Sequence, residues 1–326
     1  MTGTSYELAG CPACGNAHAA TIRDHDQLRD EFEVLWQFHL ARLRAGVPVS
    51  RLFDRAFFTQ APPLQLVECV SCGTLYRNPR ERANRIEQIY AEDVADEARL
   101  RGLHEAARSL AEKQARTLTS VAGKAGRGLE VGSYAGSFLT IAAEHGWDFE
   151  GVDVNEPVNN FVRSLGFTVH QGSIQNVENA ERYEAVVFWN VFDQLPDPRD
   201  ALMDARRLLR PGGVVAIRVP NGAFYTRVMR ASLPRRLKYA LLAWNNLLAF
   251  PYRHGFTPAS LTSLLEAHEF DIVQFRRDAL VPIADIWTRP WAKLEERIVK
   301  GVTRAAAPWF EVYARPFARN RDQEQV

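Results

Sequence analysis

The run Gly128-Leu129-Glu130-Val131-Gly132-Ser133-Tyr134-Ala135-Gly136-Ser137-Phe138-Leu139 decides the fold. Leu129 and Val131 around Glu130 read as a short apolar strand. The chain turns at Gly132 and enters a helix near Gly136, where Phe138, Leu139, Ile141 and Ala142 supply an apolar face. Strand, glycine turn and helix is the geometry in which backbone N–H groups and a helix N-terminus face a ligand. A side chain at the turn would obstruct that ligand, which accounts for glycine there. The same turn also serves as a plain strand-to-helix corner, so the segments around it decide between the two.

Downstream the chain alternates strand and helix, the signature of a parallel sheet covered on both faces. Strands are expected over 148–154, 168–171, 183–190, 214–221, 270–276 and 309–315. Strand two ends Gly151-Val152-Asp153. An acid there lies across the sheet crevice from the glycine turn, where it can accept two hydroxyl hydrogen bonds from a ribose. Pro157 opens the next helix and Gly166 closes it, and Thr257 and Pro258 form an N-cap and first-turn pair.

With these residues in place, the opening run resembles motif I of the class I S-adenosylmethionine-dependent methyltransferases, acidic-x-Gly-x-Gly-x-Gly. Glu130, Gly132 and Gly136 match it, and Tyr134 stands in the position of the middle glycine. Asp153 matches the family's ribose-binding acid. Gly172-Ser173-Ile174 sits where relatives have Gly-Asp and an apolar residue near the adenine, with Ser173 replacing the acid. After strand four, Asp193-Gln194-Leu195-Pro196-Asp197-Pro198 resembles the family's Glu-His-Leu-x-Asp-Pro, without the histidine. Arg207-Leu208-Leu209-Arg210-Pro211-Gly212-Gly213 is a family-like lead into strand five.

The resemblance implies an α/β fold: a seven-stranded Rossmann-like sheet, mostly parallel, with one reversed edge strand. It implies S-adenosylmethionine held by Glu130, Gly132, Ser133, Tyr134, Gly136, Asp153, Ser173, Ile174 and Asn190. Methyl transfer from a sulfonium is an in-line displacement, so the protein chiefly aligns acceptor, methyl and sulfur. A hydroxyl or acidic-carbon acceptor also needs a base. Asp193 and His254 are the catalytic candidates, with Tyr134 and Tyr225 behind them, and for His254 a capping or packing role ranks ahead of catalysis.

All four cysteines fall in two knuckles, Cys11-Pro-Ala-Cys14-Gly and Cys69-Val-Ser-Cys72-Gly. Two thiolates two residues apart grip one metal from a tight turn, and two such pairs complete a tetrahedral zinc site. Disulfides are disfavoured in a cytosolic chain, and a redox pair needs no second copy. Four protein ligands leave no open position, so the expected Zn2+ is structural. A ribbon of this kind is similar to the N-terminal module of bacterial small-molecule and sugar methyltransferases. The organisation expected is a zinc-ribbon-like module with a helical insertion over 1–82, a helical linker over 83–123 and a methyltransferase domain over 124–326. Within the module, Leu28, Phe32, Leu35, His39 and Leu43 keep helical spacing, with Asp26 as the N-cap. Phe53, Phe57 and Phe58 follow as a candidate packing or substrate-entrance segment.

Two stretches, 222–253 and 277–308, exceed the minimal fold. The first carries Arg227, Arg230, Arg235, Arg236 and Lys238 beside Leu237, Leu241 and Trp244. It is a candidate lid for an anionic or lipid-linked acceptor, a membrane-surface contact through 227–250, or a docked surface helix. In the second, Trp287, Trp291, Leu294 and Ile298 point to an added helical layer, for the acceptor pocket or for dimerisation.

Composition is that of an ordinary globule, 46% apolar and 24% charged, with net charge +1. No apolar run reaches the roughly 18 residues that span a bilayer, and the first ten residues lack the order of a signal peptide. The expectation is a cytoplasmic enzyme acting on a small-molecule or sugar acceptor. The alternative is a ribbon-directed nucleic-acid or protein modifier, or a scaffold that binds cofactor without turnover. The near-balanced charge argues against nucleic acid as a partner.

Overall fold

The computed structural model describes residues 5–52, 64–92, 96–178, 182–247, 253–277 and 287–317. The Phe53, Phe57 and Phe58 segment lies outside them. The N-terminal region supplies β1 (Tyr6–Glu7), β2 (Ala19–Asp24), α1 (His25–Leu40), β3 (Gln65–Cys69), β4 (Leu75–Arg77) and β5 (Arg80–Glu81). Two helices, α2 (Ala83–Ala91) and α3 (Glu97–Ala122), lead into β6 (Arg127–Val131), α4 (Ser137–Glu144), β7 (Asp148–Asp153), α5 (Glu156–Ser164) and β8 (Val169–Gln171). Next come β9 (Tyr183–Trp189), α6 (Pro198–Leu208), β10 (Leu209–Pro220), α7 (Gly222–Arg230) and α8 (Arg235–Trp244). The chain closes with β11 (His254–Gly255), α9 (Pro258–Ala267), β12 (Phe270–Arg276), α10 (Pro290–Thr303) and β13 (Trp309–Pro316).

Seven strands form the main sheet in the order β12-β13-β10-β9-β6-β7-β8. The run from β10 to β8 is parallel throughout. β13 is antiparallel to both β10 and β12. The reversed strand is therefore not at the edge, as expected, but one place in from it, because β13 inserts between β10 and β12. β9 is buried at almost every position, as a central strand must be when helices cover both faces. α6 and α9 pack on one face and α3, α4 and α5 on the other.

Local chemistry sets the helix starts. Thr257 caps α9 through the Ser260 amide, with Pro258 in its first turn. α1 is capped by Asp24, not Asp26: Asp24 Oδ1 accepts the Gln27 amide at 2.9 Å, and Gln27 Oε1 accepts the Asp24 amide at 3.2 Å. β2 runs straight into the helix, so Asp24 keeps the extended backbone a cap needs and Asp26 falls in the first turn.

A second sheet has the order β11-β4-β3-β2. Its edge strand β11 comes from the C-terminal part of the chain, with His254 opposite Tyr76 and Gly255 opposite Leu75. The described part of the 222–253 stretch packs against the N-terminal region. Phe224, Tyr225, Tyr239 and Leu242 share one core with Leu28 and Leu35 of α1. Trp244 is buried among Phe38, Ala292 and Val299. Among its described residues, the apolar side expected to meet a membrane is thus largely covered, with Leu233 and Leu237 the large apolar side chains that stay exposed. α10 supplies the added helical layer expected from Trp291, Leu294 and Ile298. Ala292, Glu296, Val299 and Thr303 face inward, while Trp291, Leu294 and Ile298 face outward. Among the described residues, no helix is long and apolar enough to cross a membrane.

Candidate active site and four-cysteine cluster

The crevice opens at the C-terminal ends of β6, β7 and β9. Gly132, at the end of β6, has φ +69°, and a Cβ there would lie 2.8 Å from Val191 Cγ2. Any side chain would be both strained and in collision with the segment after β9. Tyr134, in place of the middle glycine, is accommodated at φ +40°. Several loop amides do not face a ligand as expected. Gly132 N–H donates to Val152 O at 2.8 Å, and Tyr134 N–H donates to Asp153 Oδ2 at 3.2 Å. The loop is thereby stitched to β7.

Two side-chain oxygens at the loop lack any protein partner. Glu130 Oε2 and Ser133 Oγ are buried and unsatisfied. Burial, then the neighbouring Asp153 charge, holds the Glu130 carboxyl well above the usual range. Asp153 accepts the Tyr134 amide and, through Oδ1, the Asn155 amide at 2.9 Å. Burial raises its pKa as well. Each carboxylate oxygen has two acceptor sites, so both can still receive ribose hydroxyls. Ser173 Oγ donates to Gln175 Oε1 at 2.9 Å, which leaves its lone pairs able to accept from an amino group. Ile174 is buried beside it. Asn190, at φ +61°, accepts from Arg218, whose guanidinium lies 4.2 Å above the Trp309 ring.

Asp193 lies just after β9, in a short 3-10 turn, Phe192–Gln194. It is 0% exposed, and neither carboxylate oxygen has a partner beyond the residue's own amide. Burial lifts its pKa to about 7, partly opposed by its own backbone amide and then by the Arg218 charge. Its carbonyl accepts the Arg253 amide at 3.1 Å. His254 contacts Leu195 O through Nε2 at 2.9 Å. A carbonyl can only accept, so the proton sits on Nε2 and the buried Nδ1 is bare, without a partner. Burial, then the Arg253 charge, depresses the ring to about 3, so it is neutral at physiological pH. Tyr225 lies elsewhere, donating to Glu31 Oε2 at 2.9 Å, with its pKa raised by burial. That removes it as a base.

Two residues at the site were not anticipated. Tyr90 of α2 donates its hydroxyl to Gln194 Oε1 at 2.6 Å, and its carbonyl accepts from Asn155 Nδ2 at 2.9 Å. It ties α2 to the segments that follow β7 and β9. His104 of α3 holds the glycine loop through Nδ1–H to Ala135 O at 2.8 Å. In sequence both merge into helical apolar stripes, and no local motif marks them.

The four cysteine sulfurs lie within 4.8 Å of one another. Cys11 and Cys72 sulfurs are 3.5 Å apart, Cys14 and Cys69 sulfurs 3.6 Å. Tetrahedral zinc with sulfur at about 2.3 Å requires S···S edges of about 3.8 Å. The quartet fits that ion. The two knuckles are built alike: Gly15 N–H donates to Cys11 O at 2.8 Å, and Gly73 N–H to Cys69 O at 3.0 Å. Both glycines have positive φ, which lets each turn close behind its cysteine pair.

A seven-stranded sheet of this order, with a glycine loop facing an acidic strand end, defines an α/β nucleotide-cofactor enzyme. The family model described as "Methyltransferase domain" matches residues 103–275, just over half of the chain, and the chain belongs to that family. It is an S-adenosylmethionine-dependent methyltransferase of class I. No curated protein matches it. Among solved structures, the complex of the Haloferax volcanii Trm112 methyltransferase activator with a putative methyltransferase is similar at 13% identity and TM-score 0.48, covering 69% of this chain and 100% of that one. The Burkholderia thailandensis 1,6-didemethyltoxoflavin-N1-methyltransferase is similar at 17% identity and TM-score 0.43, over 64% and 79% of the two chains. The CcbJ methyltransferase from Streptomyces caelestis is similar at 18% identity and TM-score 0.44, over 64% and 95%. At these levels they carry nothing about this chain's acceptor.

Proposed function

We propose that the chain methylates a small-molecule or sugar acceptor, at a hydroxyl or an acidic carbon, with Asp193 taking the acceptor's proton. The observation that carries this reading is the Asp193 carboxylate, buried, without a partner beyond its own amide and shifted to about 7. A base is most effective when its pKa lies near the working pH. His254, neutral and pinned to Leu195 O, serves as a positioning residue. When bound, S-adenosylmethionine supplies a methyl group on a positively charged sulfur. Asp153 would hold its ribose, Ser173 and Ile174 its adenine, and Glu130, Gly132, Ser133, Tyr134, Gly136 and Asn190 would line the rest. Cys11, Cys14, Cys69 and Cys72 would hold one closed, structural zinc, in a module spanning 1–82 that is linked by 83–123 to the catalytic domain. Arg227 and Arg236 are exposed in the insertion after β10, which supports an anionic acceptor.

The test is transfer from methyl-labelled cofactor into a metabolite extract, with the wild type and Asp193→Asn. Label in the small-molecule fraction that disappears in the variant supports the reading. Label in protein or RNA moves the acceptor to the alternative class. Binding of S-adenosylhomocysteine with no labelled product in any fraction identifies a cofactor-binding scaffold.

A further inference from the structure

α10 shows solvent an apolar stripe. Trp291 is 51% exposed, Leu294 57%, Ile298 59% and Val302 71%. Their spacing of three, four and four residues puts them on one face. At 1.5 Å per residue the stripe is about 16 Å long. Gly301 and Ala305, both exposed, add no polar side chain to it.

Among the described residues 287–306, the exposed charges are all positive. Both acids of α10 turn away into ion pairs: Glu295 with Arg42 at 2.7 Å, Glu296 with Lys300 at 2.5 Å. Glu296 is buried. Arg297 and Arg304 are exposed beside the stripe, and Lys293 is half-buried. A helix with Trp, Leu, Ile and Val outward, cations along its edges and its carboxylates internally neutralised is suited to the plane of an anionic bilayer surface. Tryptophan at one end fits the headgroup level. A second copy on the same face would set the Arg297 side chains in a field of like charge, which disfavours self-association there.

We propose that α10 is a membrane-docking helix, laying its Trp291–Val302 stripe on an anionic phospholipid surface. Docking would be peripheral, since no described helix can span a bilayer. This surface is separate from the acceptor assignment and does not depend on it. It replaces the 227–250 segment as the membrane-facing element, because the apolar side of that segment's described residues is largely buried.

The test is flotation of the full chain with vesicles of phosphatidylcholine, with and without phosphatidylglycerol. Binding is expected to the anionic vesicles, weaker to the neutral ones, and reduced by added salt. The double variant Leu294→Ser, Ile298→Ser should lower partitioning by about tenfold or more, since two apolar side chains no longer enter the interface. Its affinity for S-adenosylhomocysteine should stay at the wild-type value, because both side chains are exposed and neither is among the residues assigned to the cofactor. No binding to anionic vesicles overturns the proposal, as does binding the double variant leaves unchanged. Light scattering that shows a wild-type dimer dissociated by the same variant would also overturn it and assign the stripe to a second copy.

Discussion

Replacing Asp193 with Asn should stabilise the protein at alkaline pH while removing its turnover. The wild-type carboxyl has its pKa raised from 3.8 to about 7 by burial. A raised carboxyl binds its proton more tightly folded than unfolded, so its contribution is fully present below about pH 4 and is lost as pH rises through about 7. Three pK units at about 1.4 kcal/mol each amount to about 4 kcal/mol across the whole window, and about 3 kcal/mol of this falls between pH 5 and pH 8. Asn carries no charge at any pH. Its amide retains an unsatisfied polar group worth about 1–3 kcal/mol, but that penalty does not change with pH. Urea unfolding of both proteins at the two pH values isolates the difference, because every other ionisable group is common to both. The variant should gain about 3 kcal/mol more at pH 8 than at pH 5. If Asp193 is the base, turnover should fall by about 10² or more with cofactor affinity unchanged. An equal stability change at both pH values would show that the Asp193 charge is solvated, and the base assignment would lose its footing.

Three further outcomes are expected. Metal analysis of reduced protein should find one zinc per chain, and Cys69→Ser should lower the melting temperature, because metal binding in such a module is folding energy; protein without stoichiometric zinc refutes this. Asp153→Ala should weaken S-adenosylhomocysteine binding by about 1–3 kcal/mol in titration calorimetry, since it frees both the ribose and the Tyr134 amide; unchanged affinity places the ribose elsewhere. Tyr90→Phe removes the hydroxyl bonded to Gln194 and should raise the acceptor KM by several-fold, for about 0.5–1.5 kcal/mol lost, with cofactor binding nearly intact; a fall in cofactor binding alone would assign Tyr90 to the cofactor instead.

The sequence by itself determined what depends on near neighbours. The CxxCG pairs dictate their own turns, and the buried run Tyr183–Trp189 can only be a covered strand. Gly132 and Asp153 mark strand ends because a turn and a strand terminus are local events. Even the Asp26 error was local, a shift of two residues at a cap. Tertiary structure decided everything that depends on which surfaces meet. β13 is reversed in either arrangement, so its apolar pattern does not say that it sits inside β12. The stripe Trp291, Leu294, Ile298 has helical spacing whichever way the helix rolls. It faces out because Ala292 and Val299 are small enough to pack against Trp244. Tyr90 and Gln194 are 104 positions apart, and His104 and Ala135 are 31 apart. A hydroxyl on α2 becomes part of the site only when packing carries that helix to the segment after β9, and hydrophobic periodicity records that a face is buried without recording what it is buried against.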